Sequence, residues 1–221
     1  AQANWYAYGS LCWDYSISSA SLAEEWLQMT FSHNKNFVTT ASSLMLQSRE
    51  TMVDYMNPLG LHHIMGTGHH YGPAPWVNEL SRPEWNPVYY HKADRTGIGF
   101  NRTPTGSNAI AQYNPEARKK WEDINTIDEK YLLWFHHTPW KYIMKSGRTL
   151  WDELCYRYYN GAEKVKRMQN VWDSLKQYVD TERYNQVKQL LGIQYEEAVW
   201  WRNACLLYFQ IFSKQPIPVT Y

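Results

Sequence analysis

Apolar and small side chains recur at three- and four-residue steps through several stretches of this chain, a spacing that lines one face of a helix. Val38, Ala41, Met45, Ser48, Met52 and Tyr55 follow it. They predict a helix from about residue 37 to residue 56, stopped at Asn57-Pro58 because a proline pushes the residue before it out of helical geometry. Upstream, Ser21 with Glu24 three residues on is a capping-box pattern, predicting a short helix through Glu25, Trp26 and Met29. Leu150, Leu154 and Tyr158 share a face of a helix that begins near Thr149. Asn160-Gly161 is expected to break it, with helix resuming over 163–179. Val187, Leu190, Leu191, Tyr195, Ala198, Cys205, Phe209 and Phe212 form the stripe of a long last helix. It runs from about 182 to 212, with Gly192 as a candidate interruption and Pro216 and Pro218 beyond its end. Trp200 and Trp201 are adjacent on that helix and cannot both face one core, so one is expected against another domain or subunit.

Between residues 57 and 110 the helical period disappears. Gly, Pro, His and aromatic residues dominate there, the composition of irregular loops and short strands. Two runs, 88–91 and 131–135, read as short strands or as buried helix, which periodicity cannot separate at that length. No long-period repeat is present, only a short echo of HHYGPAPW at 69–76 in HHTPW at 136–140. The fold expected is mainly α: one helical domain over 1–221 with an irregular Gly/Pro/His-rich loop region and possible short strands.

Composition narrows the function classes. The 221 residues carry a formal net charge of +1, which leaves no electrostatic footprint for nucleic acid or an acidic membrane. Charged residues are 19% and aromatics 16%, with 12 Trp and 18 Tyr. Rings in such excess fill cores or line sugar sites and interfaces. Cys12, Cys155 and Cys205 are too few and too widely spaced for a disulfide framework or a zinc site, and the last two sit in apolar helical patterns as expected buried thiols. Asn101-Arg102-Thr103 is a glycosylation sequon, relevant only in a glycosylating pathway. No signal peptide is visible, no apolar run reaches membrane-spanning length, and the chain opens without Met. The expectation is therefore a fragment or a processed product, with its cellular location left open.

Candidate chemistry concentrates in residues 57–76, where His62, His63, His69 and His70 lie within nine residues. A metal site is one reading, but adjacent His on an extended chain point to opposite faces and offer one ligand per pair. A carbohydrate site is a second: neutral imidazoles donate and accept, as hydroxyls do, Tyr71 adds a phenol, and Trp76 offers a flat face to a pyranose. A loop whose imidazoles satisfy its own backbone is the third. Carboxylates such as Asp14, Glu79, Glu84, Asp94, Asp123, Asp152 and Glu153 sit in no self-announcing pair, although glycoside hydrolysis needs two across the scissile bond. Nucleophile elbows, phosphate loops and dinucleotide fingerprints are absent. Arg148 could fork a carboxylate or pair with Asp152 four residues on. No metal and no cofactor is expected.

Several strings resemble the C-terminal region of the family 67 α-glucuronidases. They are AQANWYAYG at 1–9, NPLGLHHIM at 57–65, GHHYGP at 68–73, WFHHTPW at 134–140, MKSGRTLWDEL at 144–154 and ACLLYFQ at 204–210. The resemblance spans essentially the whole chain; Ala74, between two prolines where Gly is common, is a small departure. It implies an inverting glycoside hydrolase that cleaves the α-1,2 bond between (4-O-methyl-)D-glucuronic acid and xylose in xylo-oligosaccharides. It also implies that the acid and base lie in a (β/α)8 barrel of the same polypeptide, so no catalytic residue is assigned here. The segment itself is expected to be inactive alone, to border the substrate cleft and to support a homodimer. The substrate contacts expected are Trp76 first, then His69, His70, Tyr71, His62, His63 and Arg148. A non-catalytic carbohydrate-binding or dimerisation domain is the alternative.

Overall fold

The computed structural model describes residues 2–66 and 72–219. Eight α-helices account for most of them: α1 Gln2–Trp13, α2 Ser19–Thr30, α3 Lys35–Met56, α4 Pro87–His91, α5 Pro115–Glu122, α6 Leu132–Phe135, α7 Leu150–Ser174 and α8 Thr181–Ser213. Two short strands, β1 Gly97–Ile98 and β2 Thr138–Pro139, pair antiparallel with Gly97 opposite Pro139 and Ile98 opposite Thr138. The class is mainly α, as the apolar periodicity predicts.

Several boundaries differ from expectation, each for a local reason. The start of α2 is capped by Ser18, whose Oγ accepts from the Ser21 N–H at 3.1 Å; Ser21 is inside the helix, not its cap. Helix α7 is continuous through Asn160-Gly161. Gly161 is there for proximity: a Cβ at that position would lie 2.6 Å from the Tyr55 backbone nitrogen, so α3 and α7 approach closely where the side chain is missing. Gly192 likewise does not interrupt α8. Of the two readings open for the runs 88–91 and 131–135, strand or helix, the structure has the helical one, as short turns. Thr149 does open α7 as its side-chain cap: its Oγ1 accepts from the Asp152 N–H at 3.1 Å and donates to Asp152 Oδ2 at 2.7 Å.

The chain divides into two compact units, one of residues 1–51 and 163–196, the other of 52–162 and 197–221. The divisions fall inside α3, α7 and α8. In the first unit Leu27, Phe37, Val38, Ala41, Trp172, Leu175 and Tyr184 form a closed apolar cluster. Trp172 stacks on Tyr184 at 6.2 Å and donates Nε1–H to its carbonyl at 3.1 Å. Helix α1 has no buried residue, and Trp5 and Tyr8 on it are exposed.

In the second unit the irregular segments fold against the buried face of α7 (Leu150, Trp151, Leu154, Tyr158) and that of α8 (Ala198, Trp201, Cys205, Phe209). Cys155 and Cys205 are buried free thiols and Cys12 is exposed; burial pushes both buried thiols up to about 12, so neither is a nucleophile near neutral pH. Behind the α7 cap, Glu153 is buried with Oε1 accepting from Arg157 Nε at 2.7 Å and Oε2 from Ser146 Oγ at 2.8 Å and Arg148 Nη1 at 3.1 Å. Burial pushes its carboxyl up, but the bonds from Arg157 and Ser146 outweigh that and hold it below the ordinary carboxylate range.

Candidate functional site

The irregular part of the second unit brings together more polar and aromatic groups than any sequence window suggests. Its frame is made of backbone pairs. Ala74 donates to the Ile64 carbonyl at 2.8 Å and Gly66 to Gly72 at 3.0 Å, so residues 62–66 and 72–76 run side by side. A turn follows, closed by Val77 N–H to Ala74 O at 3.2 Å, with Pro75 and Trp76 at its tip. Trp76 is 53% exposed, its ring edge-on to Tyr208 at 6.4 Å. The turn is pinned from beneath by His91, which is fully buried and donates Nε2–H to the Pro75 carbonyl at 2.8 Å. The Ala93 N–H occupies the other ring nitrogen at 2.9 Å, which fixes the tautomer. Burial drives the His91 pKa down to about 4, so the ring is neutral. Gly72 has φ +74° and its missing Cβ would lie 2.4 Å from the Trp200 ring; that ring lies on the loop and is still 48% exposed. Trp201, by contrast, is buried.

Beside this turn lies a second cluster of rings. His62 meets Trp134 edge-on at 5.5 Å, His63 packs on Tyr90 at 4.7 Å, and Tyr90 is stacked with Trp134 at 6.2 Å. His63 has φ +56°, left-handed geometry that few non-glycine residues adopt. Arg102 completes the cluster, its guanidinium 3.7 Å from the Trp134 ring centroid and 4.2 Å from that of Phe100. Desolvation, then the nearby Arg102 charge, lowers the His62 pKa, so His62 is a neutral imidazole that can donate and accept.

The expected contacts therefore separate. Trp76, His62 and His63 share this region. His69, His70 and Tyr71 lie outside the described residues. Arg148 is placed at the α7 cap, on Glu153 and with its guanidinium 4.0 Å from the Tyr156 ring centroid. The echo at 136–140 turns out to be framework: His136 Nε2–H donates to Trp121 O at 2.9 Å, His137 Nδ1–H to Gly99 O at 2.9 Å, and Trp140 Nε1–H to Asp94 O at 2.8 Å. Arg102, Tyr90, Trp134 and His91 were not singled out from sequence; only the folded chain shows them at the site. Among the described residues no group of three or more His, Cys, Asp or Glu side chains could hold a metal ion, and no helix is long and apolar enough to cross a membrane.

A helical domain carrying an aromatic, imidazole-rich loop face is what the fold and this region define, and comparison with known proteins puts it among the glycosyl hydrolases. The family model described as "Glycosyl hydrolase family 67 C-terminus" matches residues 1–221; the chain belongs to that family. It is 33% identical to alpha-glucuronidase A of Emericella nidulans over 99% of this chain and 25% of that protein. It is 31% identical to the alpha-glucuronidase of Hypocrea jecorina over 98% of this chain and 25% of that protein. Alpha-glucuronidase A of Aspergillus tubingensis is 30% identical over 92% of this chain and 24% of its own length. The chain thus spans about a quarter of the length of the curated relatives it matches.

Proposed function

We propose that this chain works as the C-terminal part of an α-glucuronidase. The full-length enzyme would hydrolyse the α-1,2 bond between (4-O-methyl-)D-glucuronic acid and xylose in xylo-oligosaccharides. The whole-chain family match carries this reading, and the naming of the relatives as alpha-glucuronidases supports the substrate class. The chain's own chemistry agrees with a supporting role: its most protected carboxylate, Glu153, is locked in ion pairs at a helix cap. Its share of the task is to border the substrate cleft with the 62–76 segment. A half-exposed indole on a turn held by a proline and a buried histidine loses little freedom when a sugar stacks on it. Trp76 is the leading contact, on the xylose side of the substrate.

Two measurements test this. Purified residues 1–221 should not hydrolyse aldouronic acids, whereas the full-length polypeptide should; turnover by the isolated chain overturns the assignment of catalysis to another part. In the full-length polypeptide, Trp76→Ala should weaken handling of xylo-oligosaccharide substrates by about 1–3 kcal/mol, the worth of a buried ring contact, while sparing a small aryl glucuronide. Equal loss on both substrates, or no loss on either, makes Trp76 structural.

The same polypeptide is proposed to form a homodimer through α8. Trp200, Leu207 and Ile211 are exposed on it at steps of seven and four, which keeps them on one stripe. The alternative of a stand-alone carbohydrate-binding module is disfavoured by the helical fold, since such modules are usually β-sandwiches.

A further inference from the structure

Gly192 lies inside α8 with no packing that requires it. A Cβ there would meet nothing within 4 Å, so no close approach explains the missing side chain. Glycine is also the worst residue after proline for holding a helix together. What Gly192 does line is a cavity of about 260 Å³ between α7 and α8, within the first unit, where none of the contacts expected from the sequence falls. A solvated helix face would accept almost any side chain at 192. Only the cavity gains from having none, because the missing side chain leaves that space open.

The opposite wall is one face of α7, with Lys166, Gln169, Asn170 and Asp173 at helical steps. Trp172 lines it too; it is 5% exposed and its Nε1–H is already given to the Tyr184 carbonyl, so it offers only carbon. Asp173 Oδ1 accepts from the Tyr184 hydroxyl at 2.6 Å and from Lys188 Nζ at 2.9 Å, which matches the Lys188 charge. Asp173 Oδ2 has no partner among the described residues. Neither has Gln169 Oε1, whose Nε2 donates to the Leu191 carbonyl at 3.0 Å. The Asn170 amide makes no hydrogen bond among the described residues. Lys166 pairs with no carboxylate there, its Nζ standing 5.1 Å from the Tyr195 ring centroid. The free groups are therefore two acceptor oxygens, one ammonium and one amide that both donates and accepts. A phosphate or a carboxylate brings acceptors alone and would face the two acceptor oxygens unpaired. Hydroxyls donate and accept, and satisfy the whole set. The volume lies just under the roughly 300 Å³ at which sites for drug-sized ligands begin, which suits a sugar ring.

We propose that this cavity binds one neutral pyranose ring of a xylo-oligosaccharide, with Gln169, Asn170 and Asp173 on its hydroxyls and Trp172 against its carbons. The choice of xylose rests on the α-glucuronidase reading above; the neutral pyranose rests on the cavity. Lys166 is exposed at the rim, which makes it a local reporter. The test acetylates lysines of the full-length polypeptide with an amine-reactive ester and follows each site by peptide mass spectrometry. Wild type, Gly192→Leu and Asn170→Ala are treated alone, with xylotriose and with inorganic phosphate. Xylotriose should slow Lys166 acetylation at least threefold in the wild type and leave it unchanged in both variants. A wild-type Lys166 rate that xylotriose does not change overturns the proposal. Equal protection in Gly192→Leu does so too, because the filled cavity then makes no difference. Protection by phosphate and not by xylotriose overturns it by making the cavity an anion site. Should Gly192→Leu fail to fold, Asn170→Ala decides: its side chain is exposed with no bond to lose, and full protection in it overturns the proposal. Hydrolysis of a glucuronoxylo-oligosaccharide by the wild type reads the parent function separately. Hydrolysis with Lys166 unprotected removes only the present inference. Cavity-dependent protection without hydrolysis keeps it and removes the enzyme reading.

Discussion

At His91 a single side chain sets both a tautomer and a pH limit. It is fully buried, gives its one proton to the Pro75 carbonyl and accepts from the Ala93 N–H, with the rings of Tyr208 and Phe209 packed against it at 5.6 and 5.3 Å. Protonation would place a charge among rings and turn an accepting nitrogen into a donor facing a donor. That is why burial takes its pKa from the ordinary 6.5 to about 4. The unfolded chain takes up the proton first as pH falls. The His91 contribution is therefore complete above 6.5, is lost progressively between 6.5 and about 4, and is flat below. Its size is on the order of 3 kcal/mol. Urea midpoints at pH 7.5 and 4.5 should differ by more in the wild type than in His91→Gln. Equal differences would mean His91 does not carry the acid sensitivity. None of this was legible in the sequence, where His91 sits in an unremarkable aromatic run and its partner Pro75 is sixteen residues away.

Among the helices, two glycines that look alike in sequence have opposite jobs. Both Gly161 and Gly192 interrupt an apolar pattern, and both lie inside continuous helix. A Cβ on Gly192 meets nothing within 4 Å, whereas one on Gly161 meets the Tyr55 main chain at 2.6 Å. Gly192→Ala should stabilise by about 0.5–1 kcal/mol through helix propensity. Gly161→Ala should destabilise by about 1–3 kcal/mol, because the helices must move apart. Thermal unfolding of the two variants side by side gives the result, and matching melting temperatures would sink the close-approach account. Helix starts show the same split between legible and hidden. The start of α5 was missed although Asn114-Pro115 is a helix-start signal, with the Asn114 side chain accepting from Ala117 N–H at 2.9 Å. Helix α1 had none, because no face of it is buried.

For the molecule as a whole, the exposed apolar surface is the feature to account for. Trp5, Trp13 and Tyr15 near the N-terminus are 72%, 94% and 92% exposed, and Leu207 and Ile211 on α8 are 59% and 56% exposed. Apolar side chains grouped like this mark surfaces that something else covers. If the α8 stripe joins two copies, Leu207→Glu with Ile211→Glu in the full-length polypeptide should halve the mass seen by light scattering and leave its circular dichroism unchanged. A mass that stays the same would move the interface elsewhere.

The residues alone determined α3, α8 and the start of α7, since each carries an apolar stripe at helical period and local order is enough to read it; that α7 runs unbroken through Gly161 was left to the packing against α3. They also determined the family, because NPLGLHHIM, WFHHTPW and MKSGRTLWDEL are long strings whose agreement needs no structure. Trp76 as an exposed ring on a proline-bounded turn was readable for the same reason. The tertiary structure decided which imidazoles are framework and which face outward: His136 and His137 are bonded to carbonyls 15 and 38 residues away, while His62 and His63 pack on Trp134 and Tyr90. It also decided that Arg102, hidden in a sequon, lies against the rings of Trp134 and Phe100 and donates to the Trp134 carbonyl. Each of those facts depends on contacts between segments far apart along a chain with no regular period between them, and no local pattern encodes a distance that only packing sets.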